Sequence, residues 1–262
     1  MDISIGRETI SLPLYIPPGR LSPLLVIPGL GITEKKWEWM MRTFFYRFLR
    51  SGYPVILYPL PYHLGRGEGV KDFKQLDDEG TWNFFRKGKE EINRIIEKME
   101  EEFGWKEFYL LGISLGGMLG MMVLSGEEKV KKGIFLGTGG NFEEILWHGI
   151  MRFFIPKDCS RRDCHKFHRE YQNLLSKGDY RELEKLPRYC FLYDPLTQAH
   201  RIKNKDILLI HGLFDTIIPF TSFLSLRKAL PHAETLILPA SHSTLLFFSP
   251  LIYSRIEKFL KK

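Results

Sequence analysis

Cysteine is scarce in this sequence, with three in 262 residues. Cys159, Cys164 and Cys190 are an odd number in a chain of this length, so they predict reduced thiols in a reducing compartment, the cytoplasm, rather than a disulfide framework. The N-terminal residues offer no apolar run free of charge and proline, so no signal peptide is predicted. With 44% hydrophobic and 26% charged residues, the composition also excludes a disordered or collagen-like chain.

Long apolar runs are almost absent. The stretch from Phe108 to Gly126 has 19 residues without a charge, which approaches the length of about 20 that a membrane-spanning helix needs. Its glycines and Ser114 instead fit a buried strand that turns into a buried helix, so no transmembrane segment is predicted. A length below 300 residues favours one sizeable core.

An excess of one charge is present but modest. Lys and Arg number 38 and Asp and Glu 31, for a formal net charge of +7. Residues 141–205 hold 13 basic and 9 acidic residues, which is more than half of the excess. Basic and acidic residues are interspersed and no nucleic-acid motif is present, so no nucleic-acid partner is predicted. The excess leaves transient contact with a membrane surface, or with an anionic substrate, open.

Apolar runs alternate with stretches at helical spacing, which indicates βαβ units and a parallel sheet. The predicted strands are Leu24–Pro28, Val55–Leu60, Phe108–Ile113, Lys132–Leu136, Ile207–His211 and Thr235–Leu238. The predicted helices are Trp37–Leu49, Thr81–Glu102, a run that begins just after Ser114, Phe220–Leu230 and Thr244–Leu260. The first helix is rich in aromatic residues, which fits a membrane-surface helix or a helix that covers the sheet. The helix that covers the sheet is favoured, because both faces of a parallel sheet need to be covered.

The alternation breaks at 141–205, which predicts a helical cap inserted into a core formed by 1–140 and 206–262. Within it, the amphipathic run Ile145–Ile155 fits a gate over an apolar pocket, or a helix packed on the core. Cys159, Cys164, His165 and His168 form C-x4-C-H-x2-H. Structural zinc sites usually pair C-x2-4-C with a distant second ligand pair, so no metal is predicted and these are taken as ordinary residues of the cap.

The motif G-x-S-x-G spans Gly112–Gly116, directly after a predicted strand and before a buried helix. A serine at such a strand-to-helix turn is exposed at the carboxyl edge of the sheet, and the glycines let neighbouring backbone approach. The start of the helix adds free N–H groups and the positive end of its dipole. This context identifies Ser114 as a candidate nucleophile.

A serine nucleophile needs a base to take its proton and a carboxylate to orient that base. Asp215 follows the predicted strand that ends at His211, and His242 follows the next strand, so both lie in loops at the same edge. The alternative for Asp215 is a helix cap, and for His242 a surface loop histidine. His211 is interpreted as structural, and His63 either lines the mouth of a pocket or has no role.

With Ser114, the stretch His211–Pro219 and His242 in this order, the chain resembles the α/β-hydrolase superfamily over nearly its whole length. The resemblance implies a mostly parallel, eight-stranded sheet with helices on both faces, a cap, and a triad of Ser114, Asp215 and His242. It also implies an oxyanion hole from the backbone N–H of Leu115 and Leu30. Two stretches depart from the pattern: Pro28 stands where histidine is common, and residues 62–67 replace an Asp-x-x-Gly-x-Gly turn.

On this resemblance we expect a serine hydrolase that cleaves carboxylic ester or thioester bonds of small lipophilic acyl compounds through an acyl-enzyme, with no cofactor. The same residues would serve an acyltransferase if an alcohol or amine replaced water. A binding protein on an inactivated hydrolase scaffold is the alternative of another class.

Overall fold

The computed structural model describes residues 1–5, 8–19, 21–150, 160–178 and 181–262. The strands are β1 (Asp2–Ile5), β2 (Glu8–Ser11), β3 (Leu14–Tyr15), β4 (Leu24–Ile27), β5 (Val55–Leu57), β6 (Phe108–Ile113), β7 (Val130–Leu136), β8 (Asp206–Gly212) and β9 (Glu234–Leu238). The α-helices are α1 (Glu34–Met40), α2 (Tyr46–Arg50), α3 (Val70–Phe73), α4 (Asp78–Phe103), α5 (Leu115–Leu124), α6 (Phe142–Trp147), α7 (Arg161–Lys177), α8 (Cys190–Tyr193), α9 (Pro195–Ala199), α10 (Phe220–Ala229) and α11 (Ser249–Leu260). Every predicted strand and helix is present, with ends that shift by a few residues.

The main sheet has the order β3-β5-β4-β6-β7-β8-β9, in which β3 is antiparallel and the other neighbours are parallel. The mostly parallel sheet is confirmed, but the prediction of eight strands is wrong by one within the described residues. The reason is that β1 and β2 pair with each other as a separate antiparallel hairpin, from Asp2 opposite Ser11 to Ile5 opposite Glu8. The chain reaches the main sheet only at β3.

Helices cover both faces of the sheet, as predicted. Successive strand residues point to opposite faces, and in β4 Leu25 and Ile27 join the core under α4 and α5. Leu24 and Val26 join the second core, under α1, α2 and α11. Both faces of the central strands are therefore dry, which explains their continuous apolar sequence.

The aromatic-rich helix predicted at Trp37–Leu49 covers the sheet, so the favoured interpretation is confirmed. It runs as α1, a π-helical segment at Met41–Phe45, and α2. Its buried residues, in the core with Val26, are Trp37, Met40, Met41, Phe44, Phe45 and Phe48. Trp39 and Tyr46 lie on its exposed side.

No helix in the described ranges is long and apolar enough to cross a membrane. The stretch with the fewest charges, 108–126, instead divides into β6, a tight turn and α5. The helix is buried at Gly116 through Leu124 because it packs between the sheet and α4.

Gly116 lets α5 begin directly against β4. A Cβ at Gly116 would overlap the carbonyl oxygens of Ile27 and Pro28, which are backbone atoms and cannot turn away. The start of α5 can thus lie against the end of β4 only because residue 116 has no side chain.

We predict that Gly116→Ala lowers the free energy of unfolding by about 2–3 kcal/mol, because the added methyl group must push two backbone segments apart. Gly126→Ala is the matched control, since its Cβ would meet the flexible end of Lys89 and should cost less than about 0.5 kcal/mol. Urea unfolding followed by tryptophan fluorescence measures both. Equal, small losses in the two variants would contradict the close-approach argument.

Candidate active site

Ser114 occupies the turn between β6 and α5 in a strained conformation, with φ 54° and ψ −119°. Such a backbone is rare for a residue with a side chain, costs on the order of 1–3 kcal/mol, and persists only where its surroundings enforce it. They do so here: the Ser114 N–H donates to Leu136 O at 2.8 Å, and Thr138 Oγ1 donates to Ser114 O at 3.0 Å. The turn is locked from the neighbouring strand β7 and the loop that follows it.

Asp215 lies in the loop after β8 and is buried. Its Oδ1 accepts the N–H groups of Ile217 and Ile218, both at 2.9 Å. Its Oδ2 accepts a hydrogen bond from His242 Nδ1 at 2.7 Å. The carboxylate therefore binds its own loop with one oxygen and the imidazole with the other, and it orients the ring of His242.

His242 lies in the loop after β9, and its ring packs on the backbone of Gly137, where a Cβ would come within 3.2 Å of Cε1. Gly137 has φ 58°, a conformation that favours glycine. His242 and Ser114 line the same cavity of about 220 Å³. The loops that follow β6, β8 and β9 at the carboxyl edge thus bring the serine, the carboxylate and the histidine of the sequence prediction to one place.

The cavity beside Ser114 has mainly apolar walls. Their residues come from α3, α4 and the turn between them, from α5, α6 and α8, and from the loop after β8, and include Phe73, Leu76, Phe85, Met118, Phe142, Ile145, Leu146, Trp147, Tyr193, Ile217 and Ile218. Polar groups at its surface include Asp77, Asp78, Thr81 and Arg188. A cavity of this kind suits an apolar group of a small ligand, with few polar contacts to fix its position.

Leu30 and Leu115 both line the cavity next to Ser114. Leu115 is the first residue of α5, where helical N–H groups lack intrahelical partners. Neither amide donates a hydrogen bond to another residue within the described ranges. The oxyanion hole that the resemblance implies for these two amides stays a prediction.

His63 has a defined role that the sequence did not predict. It is 2% exposed, its Nδ1 donates to Pro61 O at 2.9 Å, and its Nε2 accepts the N–H of Gly31 at 3.1 Å. Burial lowers the pKa of His63, which favours the neutral ring that these two bonds require. The signal in the sequence was the departure of residues 62–67 from the family pattern.

His211 lies at the end of β8 and holds the loop that carries Asp215. Its Nε2 donates to Ile218 O at 3.1 Å, and its ring stacks on Phe223 with centroids 4.7 Å apart. Burial lowers the pKa of His211 to about 4, so the ring is neutral near pH 7. Ile218 is thereby held on both sides, by His211 through its carbonyl and by Asp215 through its amide.

Asp194 is a buried residue that the sequence analysis did not single out. It is fully buried, and its carboxylate accepts the N–H groups of Asn141, Phe142 and Leu196 at 2.9–3.0 Å. These bonds join the start of α6 to the start of α9. Asp194 thus fastens together the two ends of the segment between β7 and β8, including Phe142 in the cavity wall.

The C-x4-C-H-x2-H stretch is described only in part, because Cys159 lies outside the described residues, as does 151–155 of the predicted gate. Cys164 and His168 are buried on α7, and His165 is exposed. His165 Nδ1 lies 2.7 Å from Glu143 Oε1. No group of three or more metal-ligating side chains is assembled in the part of the chain that the structure covers.

Comparisons with known proteins place these features in context. The sequence model of the family described as "alpha/beta hydrolase fold" matches residues 22–179, more than half of the chain. No curated protein matches at a significant level.

Solved structures resemble the chain at low sequence identity. TT1662 from Thermus thermophilus is 18% identical, with a TM-score of 0.67, over 96% of this chain and 94% of that one. The Pyrococcus furiosus esterase Pf2001 is 16% identical, with a TM-score of 0.69, over 100% and 90%. An acylaminoacyl peptidase from Pyrococcus horikoshii is 16% identical, with a TM-score of 0.69, over all of this chain and 40% of its own. At these identities the likeness concerns the fold.

Asp194 gives a prediction for stability against pH. Burial raises its pKa to about 6 from an ordinary 3.8, so between about pH 4 and pH 6 the folded chain binds a proton that the unfolded chain releases. Its contribution to the free energy of unfolding is therefore full below about pH 4 and is lost as the pH rises to about 6. The loss is on the order of 3 kcal/mol.

The measurement is urea unfolding of the wild type and Asp194→Asn from pH 4 to pH 7. The variant lacks the titrating group, so the difference in unfolding free energy, wild type minus variant, should shrink as the pH rises. A difference that stays constant over this range would show that the carboxyl of Asp194 titrates alike in the folded and unfolded chains.

Proposed function

The chain belongs to the α/β-hydrolase fold family, and from this membership and its site we propose that it is a serine hydrolase. It cleaves carboxylic ester or thioester bonds through an acyl-enzyme on Ser114. The observation that carries the proposal is the 2.7 Å bond between His242 and Asp215 beside a strained serine that faces the same cavity as the imidazole. Fold alone would not specify an activity, because function lies in the site.

In the acylation step, Ser114 Oγ attacks the carbonyl carbon of the substrate while its proton passes to Nε2 of His242. Asp215 holds Nδ1–H, which leaves Nε2 as the basic nitrogen, and its charge stabilises the imidazolium that forms. The C–O or C–S bond then breaks, and the leaving group takes the proton from His242. This role accounts for the burial of Asp215 with all of its oxygens hydrogen-bonded.

The negative charge that develops on the carbonyl oxygen is stabilised by the amides of Leu30 and Leu115. Preorganised donors of this kind are each worth about 10²- to 10³-fold in kcat. The N-terminus of α5 adds its dipole at the same place. Water then attacks the acyl-enzyme by the same route, with His242 as the base, and releases the acid and free Ser114.

The apolar cavity supports a small lipophilic acyl group as the part of the substrate that is held. The segment 141–205 contributes Phe142, Ile145, Leu146 and Trp147 to its wall, and in the proposal this segment is the cap of a core formed by 1–140 and 206–262. Location in the cytoplasm and transient contact with a membrane surface stay predictions from the sequence.

We predict that wild-type protein hydrolyses p-nitrophenyl esters and that Ser114→Ala lowers kcat at least about 10³-fold, because no other group forms the acyl-enzyme. Asp215→Asn should lower kcat about 10⁴-fold, because it favours the wrong tautomer of His242.

The substrate panel for the wild type runs from p-nitrophenyl acetate to p-nitrophenyl decanoate and includes acyl-CoA thioesters. Esters with chains longer than acetate should give the higher kcat/KM, because they fill the apolar cavity.

Ser243→Ala is the matched control, since Ser243 is an exposed serine next to His242 with no part in the proposed chemistry. It should retain wild-type kcat. Full activity in Ser114→Ala would refute the proposal. A competing alcohol in the assay tests the acyltransferase alternative, which predicts an ester product in place of the acid.

A further inference from the structure

The loop after β4, Pro28 to Gly31, must hold the amide of Leu30 in place beside the serine. Its start is fixed by contact: a Cβ on Gly29 would lie 3.3 Å from Ser114 Cβ and from Ile113 O. Proline has no N–H, so Pro28 gives the loop no donor with which to anchor itself. The far side of Leu30 therefore needs another attachment.

That attachment is the bond from Gly31 N–H to His63 Nε2 at 3.1 Å. The N–H of Gly31 belongs to the peptide that follows Leu30, so this bond fixes the rotation of the chain on the side of Leu30 opposite to Gly29. The carbonyl of the next peptide, Gly31 O, accepts Lys36 Nζ at 3.3 Å in an exposed contact. An exposed contact of a flexible lysine adds little, whereas His63 is buried.

His63 can accept this hydrogen bond in one protonation state. Nδ1 carries the proton because it faces Pro61 O, which can only accept. Nε2 is therefore bare and accepts from Gly31. His63 N–H also donates to Leu60 O at 3.0 Å, so the histidine is fixed to the end of the chain segment that follows β5.

We propose that His63 is a positioning residue for the oxyanion hole, which sets the direction of the Leu30 amide by holding Gly31. The inference rests on the proposed function and adds a residue to it that does not touch the substrate. An interaction that matters where charge develops affects the transition state more than the bound substrate. Its loss should therefore lower kcat and leave KM nearly unchanged.

Two substitutions separate the two bonds of the ring. In His63→Asn the amide nitrogen can replace Nδ1 and donate to Pro61, but the side chain is too short to reach Gly31. In His63→Gln the amide oxygen can replace Nε2 and accept from Gly31. His232→Asn is the control for the substitution itself, because His232 is exposed in the turn between α10 and β9 and does not line the cavity.

The experiment measures kcat, KM and thermal unfolding of these variants with the ester that the wild type hydrolyses best. We expect His63→Asn to lower kcat about 10- to 100-fold, less than the full loss of a donor, with KM within about twofold. His63→Gln should recover most of that loss, and His232→Asn should match the wild type. Wild-type kcat in His63→Asn, or an equal loss in Asn and Gln variants of equal thermal stability, would overturn the inference.

A second measurement does not depend on activity or on the variants. It applies if the wild type has no esterase activity, or if His63→Asn and His63→Gln do not fold. In ¹⁵N-labelled wild-type protein, the Nε2 resonance of His63 should have the shift of an unprotonated, hydrogen-bonded nitrogen, and the Gly31 amide should exchange slowly with solvent. A protonated Nε2, or a rapidly exchanging Gly31 amide, would refute the positioning role. A wild type that is inactive but has the expected spectra would instead refute the proposed function, while the hydrogen bond between His63 and the loop after β4 would be confirmed.

Discussion

The reversal of the chain at Ser114 is the constraint on which the rest of the site depends. A residue with a side chain adopts φ 54° there, and it is held by β7, by Thr138 and by the buried helix that begins at the next residue. That helix can start so close to β4 because Gly116 has no side chain. The serine, the N-terminus of α5 and the loop after β4 therefore meet at one point of the sheet edge.

Three histidines near this edge differ in what surrounds them. His211 and His63 are buried, burial lowers the pKa of each, and each accepts or donates in a single tautomer to hold a loop. His242 binds a carboxylate and lines the cavity. Two imidazoles thus serve as fixed connections of the backbone, and the third is the one placed for proton transfer in the proposed reaction.

The sequence predicted the parts of the site that follow from local order along the chain. Ser114, Asp215 and His242 each come directly after an apolar strand, and parallel strands bring their carboxyl ends to one edge, so their meeting could be expected. The count of eight strands came from the resemblance, and it failed because β1 and β2 pair with each other and not with the main sheet. The strands β1 and β2 have four residues each, and so short a strand carries too little pattern to indicate which strand it pairs with.

His63 and Asp194 were out of reach for a different reason. Each acts through hydrogen bonds to backbone amides of residues far away in sequence, 32 positions for Gly31 and 53 for Asn141. A backbone amide leaves no trace in the sequence, so no pattern of side chains could reveal such a partner. The departures at Pro28 and at residues 62–67 indicated where this chain differs from the family pattern. In the second of these stretches, His63 binds the loop that follows β4.

The most direct test of the central claim is the site at which a fluorophosphonate reacts, read by mass spectrometry of the intact protein and of its peptides. Attack by an activated serine forms an O–P bond and expels fluoride. We predict one phosphonyl group per chain, on the peptide that contains Ser114, with loss of esterase activity in proportion and no labelling of Ser114→Ala. Labelling at another residue, or an active enzyme that stays unlabelled at Ser114, would contradict the account.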